Sequence, residues 1–255
     1  MSHTLMETPY KLDEDIQREL DAFYERVVTE DDDPARNLFS AKQQRLLVQP
    51  LYDSWTPPPA EDETEADAAE TRRPFLADAN VGVFYSTGQP PLVPDFFLSL
   101  DVRPHPDWYE KKHRSYFVWE FSKTPEIALE IVSNREGGEL GRKPGLYARM
   151  GASYYVVYDP LHKLGETTLQ VFELHGRQYQ RRPDAALPAT GLSLVLWQGV
   201  FEDKEDTWLR WCDHEGNLIL TGQERAGKEA ERADLAEQRA ERLAAQLRAL
   251  GIDPE

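Results

Sequence analysis

Apolar side chains recur along the chain in two rhythms, and the rhythm divides it. Over residues 11–30, Ile16, Leu20, Phe23, Tyr24 and Val27 fall at helical spacing. The run Glu30-Asp31-Asp32-Asp33-Pro34 ends that helix. A second helix is expected over residues 40–55, through Leu46, Leu47, Leu51 and Trp55, with Pro50 predicting a kink or an early stop. Residues 57–73 are Pro-rich, then acidic, with almost no large apolar side chain, and read as a flexible loop.

From Pro74 onward β-branched and aromatic runs take over. Strands are expected at 81–85, 94–102, 115–121, 126–133 and 153–160, followed by shorter ones in TLQVFEL, RQYQR and LSLVLW. Residues 137–151 read as a helix with Pro144 in its first turn and Gly151 closing it. WLRWCDHEGNLIL reads as a hairpin turned at residues 213–216. Over residues 224–250 a heptad-like seam runs through Ala233, Ala236, Ala240, Leu243, Leu247 and Leu250. Its Ala-rich half is weak. Packing on its own domain and a coiled coil between two copies remain equally open. Four parts follow: 1–56 helical, 57–73 acidic loop, 74–222 core and 223–255 helical tail. The fold class is α/β, a central mixed sheet flanked by helices with a C-terminal helix.

Composition narrows the functions. No apolar run approaches the roughly 20 residues of a membrane-spanning helix. The first residues lack the basic-then-apolar pattern of a signal peptide, so a cytoplasmic protein is expected. Cys212 is the only cysteine, which excludes an intrachain disulfide and a cysteine metal cluster. Net charge is −17, unfavourable for binding phosphate. Its distribution softens that objection, since residues 1–72 hold 18 acidic and 7 basic side chains while residues 73–222 hold 20 and 16.

Three charged residues stand out in the core. Glu130 lies between Leu129 and Ile131 in an apolar strand, where an acid is costly unless paired or bound to metal. Asp95 begins a strand after Pro94, and Lys143 lies on the following helix. Two carboxylates and an amine gathered by a sheet suit a Mg²⁺ or Mn²⁺ ion. Such an ion would polarise a phosphate and acidify its water, while the lysine orients or deprotonates that water and offsets developing charge. Each residue also has a plainer reading. Asp95 caps a turn, Glu130 pairs with Lys143 or Arg142, and Lys143 is solvated. A further cluster, Arg103, Lys111, Lys112, His113, Arg114 and Lys123 with Trp108, Tyr109 and Trp119, suits phosphate binding and base stacking. The acids among it favour an ordinary mixed-charge loop. No histidine shows metal-ligand spacing.

The order PDFFLSL, ALEIVS, ELGRKPGLYARMG, YYVVYDP resembles the Uma-two family of restriction-endonuclease-like proteins. Pro94-Asp95, Glu130-Ile131-Val132-Ser133, the Glu139, Lys143, Tyr147, Gly151 spacing and Asp159-Pro160 carry the resemblance, strongest over residues 80–160. It implies a PD-(D/E)XK nuclease core with Asp95, Glu130 and the Ile131 backbone carbonyl as metal ligands and Lys143 as catalytic lysine. Mg²⁺ (Mn²⁺ as substitute) would be the cofactor and DNA the substrate. From the heptad-like tail, rather than from the resemblance, a homodimer aided by the C-terminal helix is expected. Tyr147 and Gln49 are the accessory candidates. Gln49 would stand in for an acid that many members of the superfamily carry on the N-terminal helix. Val132 occupies the position two after the acid where the superfamily's lysine usually stands, so the lysine comes from the next helix instead. The expectation is a metal-dependent DNA endonuclease. The alternative is a weak or inactive nuclease fold that binds partners through its tail.

Overall fold

The computed structural model describes residues 14–27, 37–60, 72–133 and 138–249. Helices α1 (Glu14–Arg26) and α2 (Leu38–Ser54) come first. Asn37 caps α2 by accepting the Ser40 N–H at 3.0 Å. Pro50 neither stops nor ends α2, which runs on to Ser54. Trp211 Nε1 donates to Leu47 O beside the proline, at 2.8 Å.

A six-stranded sheet in the order β1-β3-β5-β6-β7-β8 forms the centre. Its strands are β1 (Phe75–Asp78), β3 (Phe96–Leu100), β5 (Ile127–Ile131), β6 (Tyr154–Tyr158), β7 (Leu169–His175) and β8 (Gln178–Arg181). Only β5 and β6 run parallel, and helix α4 (Lys143–Met150) lies in the connection between them. All five residues of β3, β5 and β6 are buried, so these strands read as continuous apolar runs rather than alternating ones. On one face, Leu47, Leu51 and Trp55 of α2 pack with Phe96, Leu98, Leu129, Ile131 and Val156. On the other, Tyr147 and Met150 of α4 pack with Phe97, Ala128, Val132, Tyr155 and Val157. The expected α/β architecture, with a mixed sheet between helices and a C-terminal helix, is the one observed.

Two small sheets flank this core. β2 (Val83–Phe84) pairs in parallel with β4 (Tyr116–Phe117). β9 (Ala186–Leu187), β10 (Leu192–Phe201) and β11 (Lys204–Cys212) form the other, tied to α2 by Gln43. The Gln43 amide donates to Leu209 O at 2.8 Å and accepts from Leu209 N at 3.0 Å, acting as one more rung on β11.

Some expected boundaries move, each for a packing reason. Residues 115–121 are not one strand, since β4 gives way to the helical turn α3 (Val118–Phe121), closed by Ser122 at φ 55. The turn swings Trp119 back so that its Nε1 donates to Tyr24 OH of α1 at 2.6 Å, and burial against α1 overrides β propensity. The helix expected over 137–151 is shorter, because a turn with Lys143 N–H on Gly138 O precedes α4. WLRWC pairs chiefly with β10 in a long hairpin turned at Glu202 and Asp203, both at positive φ. The 213–216 turn does form, but it closes only a single Cys212–Leu218 bridge.

Helix α5 (Gly222–Ala249) is held at its start. Gly222 N–H donates to Asp53 at 2.9 Å, and Glu224 takes a two-pronged bond from the buried Arg210 guanidinium at 2.7 and 2.6 Å. Beyond that it has no buried residue, so its seam does not pack on the described domain. Leu250, the last seam position, and most of the acidic loop (residues 61–71) lie outside the described residues.

Leu47 is fully buried, whereas Leu235 on α5 is 60% exposed. Leu47→Ala should therefore cost roughly 2–5 kcal/mol in urea unfolding. Leu235→Ala should stay within about 0.5 kcal/mol. A large loss from Leu235→Ala in dilute protein would show that the tail folds back onto the core.

Candidate active site

The site is assembled at one end of the central sheet. Alternation places Ala128, Glu130 and Val132 on the α4 face of β5, and the same alternation in β3 puts Asp95 with Phe97 on that face. The register pairs Phe96 with Leu129, so Asp95 stands at the next rung, opposite Glu130.

Glu130 is 1% exposed, and both of its oxygens are taken. Lys143 Nζ donates to Oε2 at 2.8 Å and Tyr147 OH donates to Oε1 at 2.6 Å. Lys143 and Tyr147 are four residues apart, so they share one side of α4. Gly151, at φ 96, then ends the helix in the left-handed conformation. Burial pushes the Glu130 carboxyl from an ordinary 4.5 up to about 7. The Asp95 charge pushes the same way, while Lys143 and the Tyr147 hydroxyl resist. Burial alone would lower the Lys143 ammonium, but Glu130 and Glu139 hold it above its usual range. Burial and the Glu130 charge raise Tyr147 well above a normal phenol.

Asp95 is completely buried. Its Oδ2 accepts the Ile131 N–H at 2.7 Å, and its Oδ1 accepts Gln44 Nε2 at 3.0 Å. Val132 N–H donates to Tyr158 O on the β6 side, so the Ile131 carbonyl, sharing an edge with its own N–H, faces the Asp95 side. Gln44 is held in turn by Asn80, whose Nδ2 donates to Gln44 Oε1 at 2.9 Å. Glu139 accepts Lys143 Nζ at 3.1 Å through Oε1, and its Oε2 is buried without a hydrogen-bond partner.

Asp95, Glu130, Lys143, Tyr147 and the Ile131 carbonyl thus come to one place, and Gln49 does not. It lies exposed on α2, and Gln44 reaches Asp95 instead. The phase of the helix explains the correction. Gln44 is three residues before Leu47 and seven before Leu51, both buried, so it shares their face; Gln49 does not. The helical spacing was legible in the sequence, but which face of α2 meets Asp95 was set by its packing on the sheet. Glu139 was visible only as part of a spacing. Asn80 carried no signal, because its contact depends on the chain returning past the end of β3, where Asn80 N–H donates to Pro94 O at 3.2 Å. Asp159 is also buried, but its oxygens accept Lys163 and Leu164 N–H at 2.9 and 2.6 Å, a turn-closing role outside the site. In the basic loop, Lys123 is paired with Glu126 and Trp119 is packed on α1, while Trp108 and Tyr109 are exposed.

The donor set suits a hard divalent cation. It offers two carboxylates and a backbone carbonyl, and a buried acid with a raised pKa is relieved by positive charge. Among the described residues no group of three or more His, Cys, Asp or Glu side chains is arranged to hold a metal.

The family model of Uma2, described as "Putative restriction endonuclease", matches residues 61–196. The chain belongs to this family. Its sheet and helices are those of a restriction-endonuclease-like fold, and the family places it with nuclease-type hydrolases, a class whose members generally use divalent metals and act on DNA. No curated protein matches the sequence. Among the described residues, no helix of this Uma2 protein is long and apolar enough to cross a membrane.

The folded-state pKa of Glu130 exceeds its ordinary value, so folding is favoured while the carboxyl is protonated. That contribution is lost as pH rises from about 4.5 to about 7. Glu130→Gln removes the titration and should flatten the fall in stability across this window, as read from urea unfolding at several pH values. A fall as steep in the variant as in the native chain would contradict the assignment.

Proposed function

We propose that this Uma2 protein is a metal-dependent DNA endonuclease that hydrolyses phosphodiester bonds, with Asp95, Glu130 and Lys143 as its catalytic set. The observation that supports it most is the approach of Lys143 Nζ to 2.8 Å from Glu130, which stands opposite Asp95, although the lysine comes from a different element. Asp95, Glu130 and the Ile131 carbonyl would hold Mg²⁺ or Mn²⁺, which supplies polarisation of the scissile phosphate and a more acidic water.

The residues themselves set the rest. Lys143 stays protonated at neutral pH, so its role is to donate to the phosphate as negative charge builds rather than to take a proton. Glu130 and Glu139 hold the amine at this position, and Tyr147 fixes the orientation of the Glu130 carboxyl. Gln44 and the Ile131 N–H do the same for Asp95. The direct Lys143–Glu130 pair favours a second reading, a weak or inactive nuclease fold in which the pair is structural. Cleavage of single- and double-stranded DNA with Mg²⁺ or Mn²⁺ decides between them. Asp95→Asn, Glu130→Ala and Lys143→Ala should each lower the rate by about 10²–10³ or more while the fold is kept. Cleavage undiminished in any of the three would remove that residue from the set.

We also infer a homodimer that uses the tail as a contact between two copies, because the seam of α5 is exposed and heptad-like. Deleting residues 229–255 spares the Arg210–Glu224 pair and should lower the mass seen by light scattering from dimer to monomer. An unchanged mass would remove the tail from the assembly.

A further inference from the structure

Beside α4 lies a groove of about 510 Å³ lined by Tyr85, Ser86, Gln89, Ala148, Arg149 and Arg177. It is formed by the chain after β2, the outer side of α4 and the tip of the β7–β8 hairpin, where Gly176 at φ 64 begins the two-residue turn that presents Arg177. In a chain of net charge −17, its lining contains two arginines and no carboxylate. Neither guanidinium has an ion pair or hydrogen bond among the described residues. Arg45, Arg73, Arg182 and Arg210, by contrast, each sit on an acid. Two uncompensated cations in one groove create a local positive potential within an acidic molecule.

We propose that this groove carries the DNA backbone away from the catalytic residues, with Arg149 and Arg177 on phosphates, Ser86 and Gln89 as hydrogen-bonding neighbours, and Tyr85 as a face for a base. The inference rests on the nuclease reading above and names where that substrate runs. Three observations carry it. The groove is built on the helix that supplies Lys143 and Tyr147, with Arg149 six residues beyond Lys143. At about 1.5 Å and about 100° per residue, Arg149 lies about 9 Å further along the axis and is turned to the outer side, so a strand leaving the catalytic residues passes round α4 to reach it. Its volume exceeds what a lone phosphate occupies and falls within the range of roughly 300–1,000 Å³ typical of clefts for small-molecule ligands. Its chemistry is that of backbone recognition, in which planar guanidiniums meet phosphate and an aromatic ring meets a base.

The test is binding of a labelled DNA duplex by the full chain in chelator, so that no strand is cut, with affinity measured across a range of salt. Arg149→Gln and Arg177→Gln should each reduce the slope of log K against log salt by about 0.9, and the double variant by about 1.8. Each loss corresponds to roughly tenfold weaker binding near 0.1 M salt. Lys228→Gln, on the exposed tail helix, makes the same charge change away from the groove and should leave the slope unaltered, and thermal melting should confirm that all variants fold. Slopes for the arginine variants equal to that of Lys228→Gln would overturn the proposal. So would arginine-dependent binding of inorganic phosphate or a mononucleotide with an unchanged DNA slope, which would make the groove a small-anion site. Arginine-dependent DNA binding without cutting in Mg²⁺ or Mn²⁺ supports the path and defeats the nuclease reading. Cutting with arginine-independent binding defeats the path alone.

Discussion

A carboxylate sealed inside a sheet must be answered by its neighbours, and in this protein the carboxylate is Glu130. Leaving it ionised and unpaired among Leu129, Ile131 and the flanking strands would cost several kcal/mol, of the order seen when a buried pair is broken. Lys143 and Tyr147 answer it, one oxygen each, and both belong to α4. The path of the chain between β5 and β6 is thereby constrained. The Gly138 turn, Pro144 in the first turn of α4 and the left-handed Gly151 together place a two-turn helix so that its inner side meets the α4 face of β5.

The same arrangement that satisfies Glu130 sets an amine beside two carboxylates. Lysine two residues after the strand acid would reach the site from β5 itself. Here Val132 is buried in the core at that position, and the amine arrives from the helix, steadied by Glu139. Because two acids surround it, the amine keeps its proton and acts as a fixed positive charge. Asp95 is placed by a different mechanism. It stands beyond the last ladder pair of β3 and β5, where its carboxylate replaces a backbone acceptor for the Ile131 N–H, and Gln44 reaches it from the helix on the opposite face. Both helical layers therefore contribute to one end of the sheet.

Charge is partitioned as well. Much of the acidity lies in residues 1–72, and several basic residues of the core are used up in ion pairs, among them Lys123 with Glu126 and Arg182 with Glu173. What stays available for an anionic partner is local, and the groove formed by α4, the chain after β2 and the β7–β8 turn holds such a pair of cations. Such a pair matters more to a phosphate than net charge does, because a phosphate responds to the few groups within a Debye length, about 10 Å at ordinary salt.

The sequence by itself determined the buried strands, since continuous apolar runs such as YYVVY have no stable place except between two covered faces. It also marked Glu130, because an acid inside such a run demands a partner, and it tied Lys143 and Tyr147 together by helical spacing. Tertiary structure decided what depends on approach between distant segments. Gln44 rather than Gln49 meets Asp95, because only the phase of α2 against the sheet selects a face. WLRWC pairs with β10 rather than mainly with the residues after it, because the longer hairpin buries Trp208 and Trp211. VWEF coils instead of extending, because Trp119 is worth more against Tyr24 and Phe23 of α1 than in a longer strand. Local pattern specifies which side chains must be buried, but the partner that buries each one is chosen by the packing of the whole.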